Sequence, residues 1–356
     1  MKYSDNKVNV GANISRFTLA AAEKVRTFHR QLGEYAPTPL AKLSALAESI
    51  GISDIYVKDE SFRFGLNAFK ALGGSYAISR LKLPAQSTVI TATDGNHGRG
   101  VAWTAHKLGY NCVVYMPYGT AEDRVNNIKA LGAKVEVLNL QYDDCVRKAD
   151  LDARAYGWQL VQDTELEGYK RVPGYIMQGY TTMALEAYEQ LGGIKPTHIL
   201  LQAGVGSMAA AVTAFFANVY PGEALPKILI VEPEGADCFY QSAVNGRRTS
   251  YKGEMRSMMA GLCCGKPCPT AWKIINCYAR GFFSVPDSVS AQGMRALAHP
   301  LGSDPKVVSG ESGAVTAGLL LSPEARECLG FTKNSKVLCF STEGDTDKLN
   351  YQKITK

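Results

Sequence analysis

Lys70 has surroundings that suggest covalent chemistry. Phe69 precedes it, apolar residues follow it, and Gly73 and Gly74 come within one helical turn. A lysine held among apolar side chains loses part of its solvation, which lowers its pKa and makes the neutral amine available as a nucleophile. We therefore predict that Lys70 forms a Schiff base. The alternative is an ordinary lysine on a solvated surface.

Three acidic residues follow predicted strands: Asp59, Asp94 and Asp163. In open parallel sheets, ligands bind beyond the carboxyl ends of the strands, so these side chains are expected at one cleft. Carboxylates there would suit a substrate that carries an extra cationic group. Each residue alone is equally compatible with a turn or a helix N-cap, which aspartate favours.

Asp94 opens a string with alternate glycines, DGNHGRG, over residues 94–100. Glycine lets the backbone approach a ligand closely, and N–H groups ahead of a helix can receive a carboxylate. The amide of Asn96 can donate to a ring oxygen. The same string is also compatible with an ordinary turn between a strand and a helix.

A second glycine loop lies between a buried strand and an Ala-rich helix. A phosphate there would receive backbone N–H groups, the Ser207 hydroxyl and the positive end of the helix. The spacing of Gly204, Gly206 and Ala209, with Glu232 ending the next strand, also loosely fits a dinucleotide fingerprint, so an oxidoreductase stays open. The predicted phosphate loop is Gly204, Val205, Gly206, Ser207 and Met208.

The last predicted strand runs into Ser341 and Thr342. A hydroxyl at a strand end can hydrogen-bond a pyridine nitrogen. The alternative is a simple turn, since the following residues are rich in Asp and Gly.

Short strand-like runs alternate with helix-like runs along most of the chain. This alternation predicts β-α-β units and mostly parallel sheets that helices cover on both faces. The predicted strands are Asp54–Lys58, Thr88–Thr93, Asn111–Met116, Lys134–Leu138, Trp158–Val161, His198–Ala203, Lys227–Glu232 and Lys336–Phe340. The predicted helices are Phe69–Ser79, Gly98–Leu108, Glu122–Leu131, Tyr142–Tyr156, Gly174–Leu191, Met208–Val219, Gln292–Ala298 and Gly313–Leu321.

Composition places these elements in a globular chain of about two domains: 356 residues, of which 46% are apolar and 20% charged. The net charge of +6 is dispersed, so no nucleic-acid partner is expected. The uncharged stretch 196–222 is divided by a glycine turn, so no membrane span is expected. The nine cysteines include no C-x-x-C pair, and residues 1–16 lack a hydrophobic run. We therefore expect no metal site and a cytoplasmic protein.

Together these residues resemble the fold type II pyridoxal-phosphate enzymes, the tryptophan synthase β-subunit-like family. The resemblance implies that Lys70 carries pyridoxal 5'-phosphate, that Asn96 lies by the ring oxygen and that the 204–208 loop holds the phosphate. Ser341, with Thr342 as the second choice, would face the pyridine nitrogen. It also implies two three-layer α/β/α domains with the active site in the cleft between them. Residues 1–85 and 190–356 would form the larger domain and residues 86–189 the smaller one.

Within that family, four segments resemble the ammonia-lyases that act on 2,3-diaminopropionate: residues 58–70, 93–103, 162–164 and 309–314. Serine and threonine dehydratases usually have Ser where Asp94 stands, and they are the main alternative.

The resemblance to the ammonia-lyases implies β-elimination that yields pyruvate and ammonia. Lys70 would remove the proton of the L-substrate and Asp94 that of the D-substrate. Asp163 would orient the substrate, and Gly95 and His97 would contact it. A homodimer is the default among fold relatives.

Overall fold

The computed structural model describes residues 1–6, 11–93 and 95–356, so Asp94 lies outside the described residues. The strands are β1 Lys2–Asp5, β2 Leu40–Lys42, β3 Asp54–Asp59, β4 Thr88–Ala92, β5 Asn111–Met116, β6 Lys134–Val137, β7 Gln159–Leu160, β8 His198–Gln202, β9 Lys227–Pro233, β10 Ala279–Val285 and β11 Lys336–Ser341. The α-helices are α1 Leu19–Arg30, α2 Ser44–Ser49, α3 Ala71–Leu81, α4 Asn96–Lys107, α5 Glu122–Lys129, α6 Tyr142–Tyr156, α7 Arg171–Gln190, α8 Ser207–Val219, α9 Cys238–Val244, α10 Pro269–Tyr278, α11 Asp287–Ala298, α12 Glu311–Leu321, α13 Pro323–Leu329 and α14 Lys348–Thr355.

Each predicted strand and helix is present, with ends that differ by a few residues. The prediction missed β1 and β2, which are short strands at the two edges of a sheet, and also β10. Three or four residues are too few to establish an alternating pattern. The prediction also missed α1, α2, α9, α10, α13 and α14.

The strands form two sheets within the described part of the chain. The larger has the order β1-β10-β9-β8-β11-β3-β2, and the smaller has the order β6-β5-β4-β7. All neighbouring pairs are parallel except the two edge pairs, β1 with β10 and β2 with β3. The predicted α/β fold with mostly parallel sheets is therefore confirmed.

The strands of the smaller sheet all come from residues 88–160, and those of the larger sheet come before and after this segment. The division of the chain into domains at residues 86 and 189 stays a prediction.

The uncharged stretch 196–222 forms β8, a turn and α8. Residues 207–217 of α8 are all buried, because small Ala side chains let this helix pack closely against its neighbours. No helix in the described ranges is both long and apolar enough to cross a membrane.

Glycines bring three helices together next to Lys70. A Cβ on Gly100 of α4 would lie 2.8 Å from the backbone nitrogen of Ala71, and one on Gly73 of α3 would lie 2.6 Å from the Tyr180 ring of α7. Side chains at these positions would separate the helices. Gly73, the first glycine of the pair after Lys70, thus serves helix packing.

Candidate active site

Lys70 contacts Asp163, which lies 93 residues later in the chain. Lys70 directly precedes α3, Asp163 follows β7, and the Lys70 Nζ lies 2.6 Å from the Asp163 Oδ2. Burial by itself would lower the pKa of Lys70, but the Asp163 carboxylate outweighs it and raises that pKa. The predicted lowering is therefore wrong in this arrangement, because the sequence could not show that a carboxylate lies beside the amine. The same pairing overcomes burial and lowers the pKa of Asp163 to about 2.

The segment before Lys70 is fixed by the chain that leaves β11. The Phe69 N–H donates to the Thr342 carbonyl oxygen at 3.1 Å, and the Gly344 N–H donates to the Asn67 carbonyl oxygen at 3.0 Å. These two hydrogen bonds place the lysine beside the end of an interior strand of the larger sheet.

The predicted phosphate loop begins α8 in the same cleft. Gly206 has a φ of +88°, and a Cβ there would lie 2.2 Å from the Phe239 ring, so only glycine fits. None of the described side chains caps the helix, which leaves its first N–H groups available to an anion. The Ser207 hydroxyl donates to the Asp163 carbonyl oxygen at 2.7 Å, so the predicted hydroxyl donor is already used.

Ser341 and Thr342 point to opposite sides at the end of β11. The Ser341 hydroxyl donates to the Ser309 Oγ at 2.7 Å, whereas the Thr342 side chain lines the cleft. The Thr342 Oγ1 accepts from the Gln202 Nε2 at 2.9 Å, so its own proton remains to be donated. The second choice, Thr342, therefore fits the role of facing a pyridine nitrogen better than Ser341.

Glu343 is a cleft residue that the sequence reasoning missed. Its carboxylate is buried and accepts hydrogen bonds from the Asn96 Nδ2 and from the Ser312 N–H. An amide carries two N–H donors, so Asn96 keeps one for a ring oxygen. Glu343 lies in a turn rich in Asp and Gly, and nothing in that pattern distinguishes it from its neighbours.

The residue before α4, Gly95, contributes a backbone N–H, and the first turn of α4 contributes the imidazole of His97. The Gly95 N–H donates to the Thr93 Oγ1 at 2.9 Å, so this N–H is not available to a substrate. The His97 Nε2 lies 2.9 Å from the Val161 carbonyl oxygen. Asp94, the predicted base for the D-substrate, lies outside the described residues.

Two predicted carboxylates have other roles. Asp59 accepts a hydrogen bond from the Ser61 N–H, so it caps the turn after β3. Glu232, the acid of the dinucleotide fingerprint, accepts from the Phe239 and Tyr240 N–H groups at the start of α9. Both side chains satisfy backbone donors at the start of a helix or helical turn, the local role that acidic residues often take.

The cleft, together with the solvent space at its mouth, has a volume of about 730 Å³. Three of its lining side chains carry a buried polar atom with no hydrogen-bond partner in the described part of the chain: the His97 Nδ1, the Gln202 Oε1 and the Ser312 Oγ. Unsatisfied buried polar atoms are costly, and their grouping here indicates a polar ligand.

Comparison with known proteins identifies the family. The sequence profile described as "Pyridoxal-phosphate dependent enzyme" matches residues 32–343. The chain belongs to the pyridoxal-phosphate-dependent enzyme family. It is 46% identical to diaminopropionate ammonia-lyase of Escherichia coli strain K12, over 99% of this chain and 95% of that protein.

Two crystal structures of the Escherichia coli diaminopropionate ammonia-lyase superpose closely on this chain. One, in complex with an aminoacrylate-PLP azomethine reaction intermediate, has a TM-score of 0.93 and 46% identity and covers 99% of this chain and 96% of that one. The other, in complex with D-serine, has the same TM-score and coverage with 45% identity. The predicted family, fold type and cofactor are confirmed, and the dinucleotide interpretation has no remaining support.

The residues of the cleft fit pyridoxal phosphate. The 204–208 loop and the open end of α8 would hold the phosphate through backbone N–H groups, and Lys70 would hold the aldehyde carbon. Asn96 would meet the ring oxygen, and Thr342 would donate to the pyridine nitrogen. A neutral hydroxyl donor there would leave that nitrogen without a proton, whereas an Asp partner, found in other pyridoxal enzymes, would accept a hydrogen bond from a protonated nitrogen.

Proposed function

We propose that this chain converts 2,3-diaminopropionate, as the D-isomer, the L-isomer or both, to pyruvate and two ammonia molecules by β-elimination. The observation that carries the proposal is the contact between Lys70 and Asp163 in the cleft that the 204–208 loop also lines. This contact places the Lys70 amine, which a Schiff base needs, beside the Asp163 carboxylate, which can bind the β-ammonium of the substrate. The near full-length similarity to diaminopropionate ammonia-lyase supports the same reaction.

The chemistry supplied by the bound cofactor is an electron sink for the charge that develops at Cα. Lys70 has two proposed tasks, which are to hold the cofactor and then to remove the Cα proton of the L-substrate. Asp94 is proposed to remove the Cα proton of the D-isomer from the opposite face. These assignments divide proton removal between two groups on the two sides of the substrate.

Asp163 is proposed to orient the substrate by binding the substrate's β-ammonium. Its carboxylate is buried and negatively charged, and it already contacts the Lys70 ammonium at 2.6 Å. A substrate ammonium has the same donors and charge as that of lysine. After elimination, the released 2-aminoacrylate takes up water and yields pyruvate and the second ammonia without help from the protein.

The test is an assay of pyruvate or 2-oxobutyrate formation by the purified protein with bound cofactor. D- and L-diaminopropionate, serine and threonine are compared under the same conditions. We expect the highest kcat/KM with one or both diaminopropionate isomers. A higher kcat/KM with serine or threonine would favour the dehydratase alternative, and no turnover of any of them would reject the proposal.

Lys70→Ala tests the role of the lysine in the same assay. It is expected to abolish both turnover and the visible absorbance of the covalently held cofactor. Lys333→Ala changes an exposed lysine that precedes β11 and serves as the control, with both properties retained. Full activity of Lys70→Ala would refute the assignment of this lysine.

We also propose a homodimer and a cytoplasmic location. Fold relatives motivate the dimer, and mass measurement by light scattering tests it. Five cysteines that are buried as thiols suit a reducing compartment: Cys112, Cys145, Cys238, Cys268 and Cys339.

A further inference from the structure

The imidazole of His97 has one nitrogen fixed and the other unused. The Nε2 lies 2.9 Å from the Val161 carbonyl oxygen, and a carbonyl oxygen only accepts, so the Nε2 carries the proton. The Nδ1 is buried and has no hydrogen-bond partner in residues 1–6, 11–93 and 95–356. The ring lines the cleft and is 5% exposed, so its orientation is held by its surroundings.

The ring is neutral at ordinary pH. Burial lowers the pKa of His97 and outweighs the nearby Asp163 carboxylate, which raises it, while Lys70 lowers it further. With a proton on the Nε2 and none on the Nδ1, the Nδ1 can only accept a hydrogen bond. It therefore calls for a donor from the cleft.

A second acceptor lies close to this nitrogen. The His97 Nδ1 is 4.0 Å from the Asp163 Oδ2. One nitrogen atom can donate hydrogen bonds of about 2.8 Å to two acceptors at this separation. The Lys70 ammonium already contacts the Asp163 Oδ2, so a cationic nitrogen is suited to this position.

We propose that His97 determines leaving-group specificity, because its Nδ1 accepts a hydrogen bond from the β-ammonium of diaminopropionate beside the Asp163 carboxylate. This inference rests on the proposed function. An ammonium has enough protons for both acceptors, whereas the hydroxyl of serine has one and leaves a buried acceptor unpaired.

The arrangement fits the balance of the elimination step. The Cβ–N bond breaks, its electron pair stays on nitrogen, and the ammonium departs as neutral ammonia with its three protons. His97 neither gains nor loses a proton. A departing hydroxyl would need an added proton, and a bare Nδ1 cannot supply one.

The first test replaces His97 by the two amides that match its two nitrogens. His97→Gln keeps a donor near the Val161 oxygen but has no acceptor at the Nδ1 position, whereas His97→Asn keeps an acceptor there. The measured quantity is the ratio of kcat/KM for diaminopropionate to kcat/KM for β-chloroalanine, whose chloride carries no proton. We expect this ratio to fall about ten- to a hundredfold in His97→Gln and less in His97→Asn.

The second test measures binding without turnover. In a Lys70→Ala background with bound cofactor, calorimetry compares the affinity for L-diaminopropionate, the isomer whose Cα proton Lys70 is proposed to remove, with that for L-alanine, which lacks the β-ammonium. Adding His97→Gln is expected to weaken only the binding of diaminopropionate, about tenfold or more. His106→Gln, which changes an exposed histidine of α4, is the matched control in both tests and should leave the two ratios unchanged.

An unchanged ratio or an unchanged difference in affinity in His97→Gln would overturn the inference. A wild-type protein that does not act on diaminopropionate would instead reject the proposed function. The two failures are therefore distinguishable.

Discussion

Asp163 sets the protonation of the lysine that has to act as a nucleophile. Its carboxylate lies 2.6 Å from the Lys70 Nζ and raises the pKa of that amine against the effect of burial. The amine can attack an aldehyde only after it loses a proton. Asp163 thus favours the cationic form of Lys70 while it also offers a position for the substrate ammonium.

Asp163→Asn is expected to lower the pH at which cofactor-free protein captures pyridoxal phosphate. Without the carboxylate, burial is no longer opposed and the pKa of Lys70 falls, so the midpoint of the pH profile should drop by roughly one unit or more. The measurement is the rate of increase in visible absorbance after mixing, over a range of pH. Asp152→Asn, which changes a carboxylate bound to Tyr115, is the control. An identical profile for Asp163→Asn would contradict this account.

Glu343 connects Asn96 to the start of α12. Glu343→Gln keeps one acceptor oxygen and replaces the other by an NH2 group. That group would face a second donor, either the Asn96 Nδ2 or the Ser312 N–H, and no hydrogen bond could form there. We expect the dissociation constant of the cofactor to rise about tenfold, since Asn96 is no longer held toward the ring. Equilibrium dialysis measures this constant. A dissociation constant equal to that of the wild type would show that the position of Asn96 does not depend on Glu343.

At the scale of elements, the alternation of side chains in β11 decides which hydroxyl reaches the cleft. Thr342→Ala is expected to shift the visible absorbance of the bound cofactor and to lower kcat about tenfold or more, because a hydrogen bond to the cofactor is lost. Ser341→Ala removes the adjacent hydroxyl, which donates to Ser309, and should leave the absorbance unchanged. The opposite pattern would restore Ser341 as the residue that faces the pyridine nitrogen.

The parts of the site that depend on local pattern could be predicted from the sequence. Lys70, Asn96 and the 204–208 loop carry local signals, namely apolar flanks and glycine spacing. The choice between Ser341 and Thr342 depends on the exact register of β11, and one residue of error reverses the direction of every side chain. The pairing of Lys70 with Asp163 joins positions 93 residues apart. No local pattern contains such a contact.

The crossing of α3 and α4 next to Lys70 depends on a glycine. Gly100→Ala would place a Cβ within 3.0 Å of the backbone of Lys70 and Ala71, so we expect a loss of about 1–3 kcal/mol in the free energy of unfolding and a lower affinity for the cofactor. Urea denaturation measures the first effect. Gly174→Ala in α7 is the matched control, because its Cβ would meet only the end of Arg16 at 3.4 Å. Equal stability of the two variants would contradict the proposed close packing.

At the scale of the whole molecule, two histidines make stability depend on pH. Burial lowers the pKa of His29 to about 3 and that of His198 to about 4. In the unfolded chain each histidine takes up a proton below about pH 6.5, while in the folded protein it stays neutral. Its contribution to stability is therefore lost as the pH falls from about 6.5 toward the folded pKa, by roughly 2 kcal/mol per histidine between pH 7 and pH 5.

His29→Gln and His198→Gln isolate this effect. Each variant is expected to be less stable at pH 7 because buried hydrogen bonds are disturbed. Between pH 7 and pH 5, the free energy of unfolding of each variant should also fall by about 2 kcal/mol less than that of the wild type, since one titrating group is gone. Urea midpoints at the two pH values provide the comparison. A pH dependence equal to that of the wild type would contradict the role of that histidine.

The position of β11 has a consequence for synthesis of the chain on the ribosome. β11 lies in the interior of the larger sheet, between β8 and β3, yet it is the last of the described strands to be translated. Until it emerges, β3 and β8 each have an unpaired edge, whereas residues 88–160 can already complete the smaller sheet. A nascent chain that stops before residue 336 would lack both an interior strand of the larger sheet and the segment that fixes Lys70. Such a product would present the open edges of β3 and β8, which can pair with other chains and lead to aggregation.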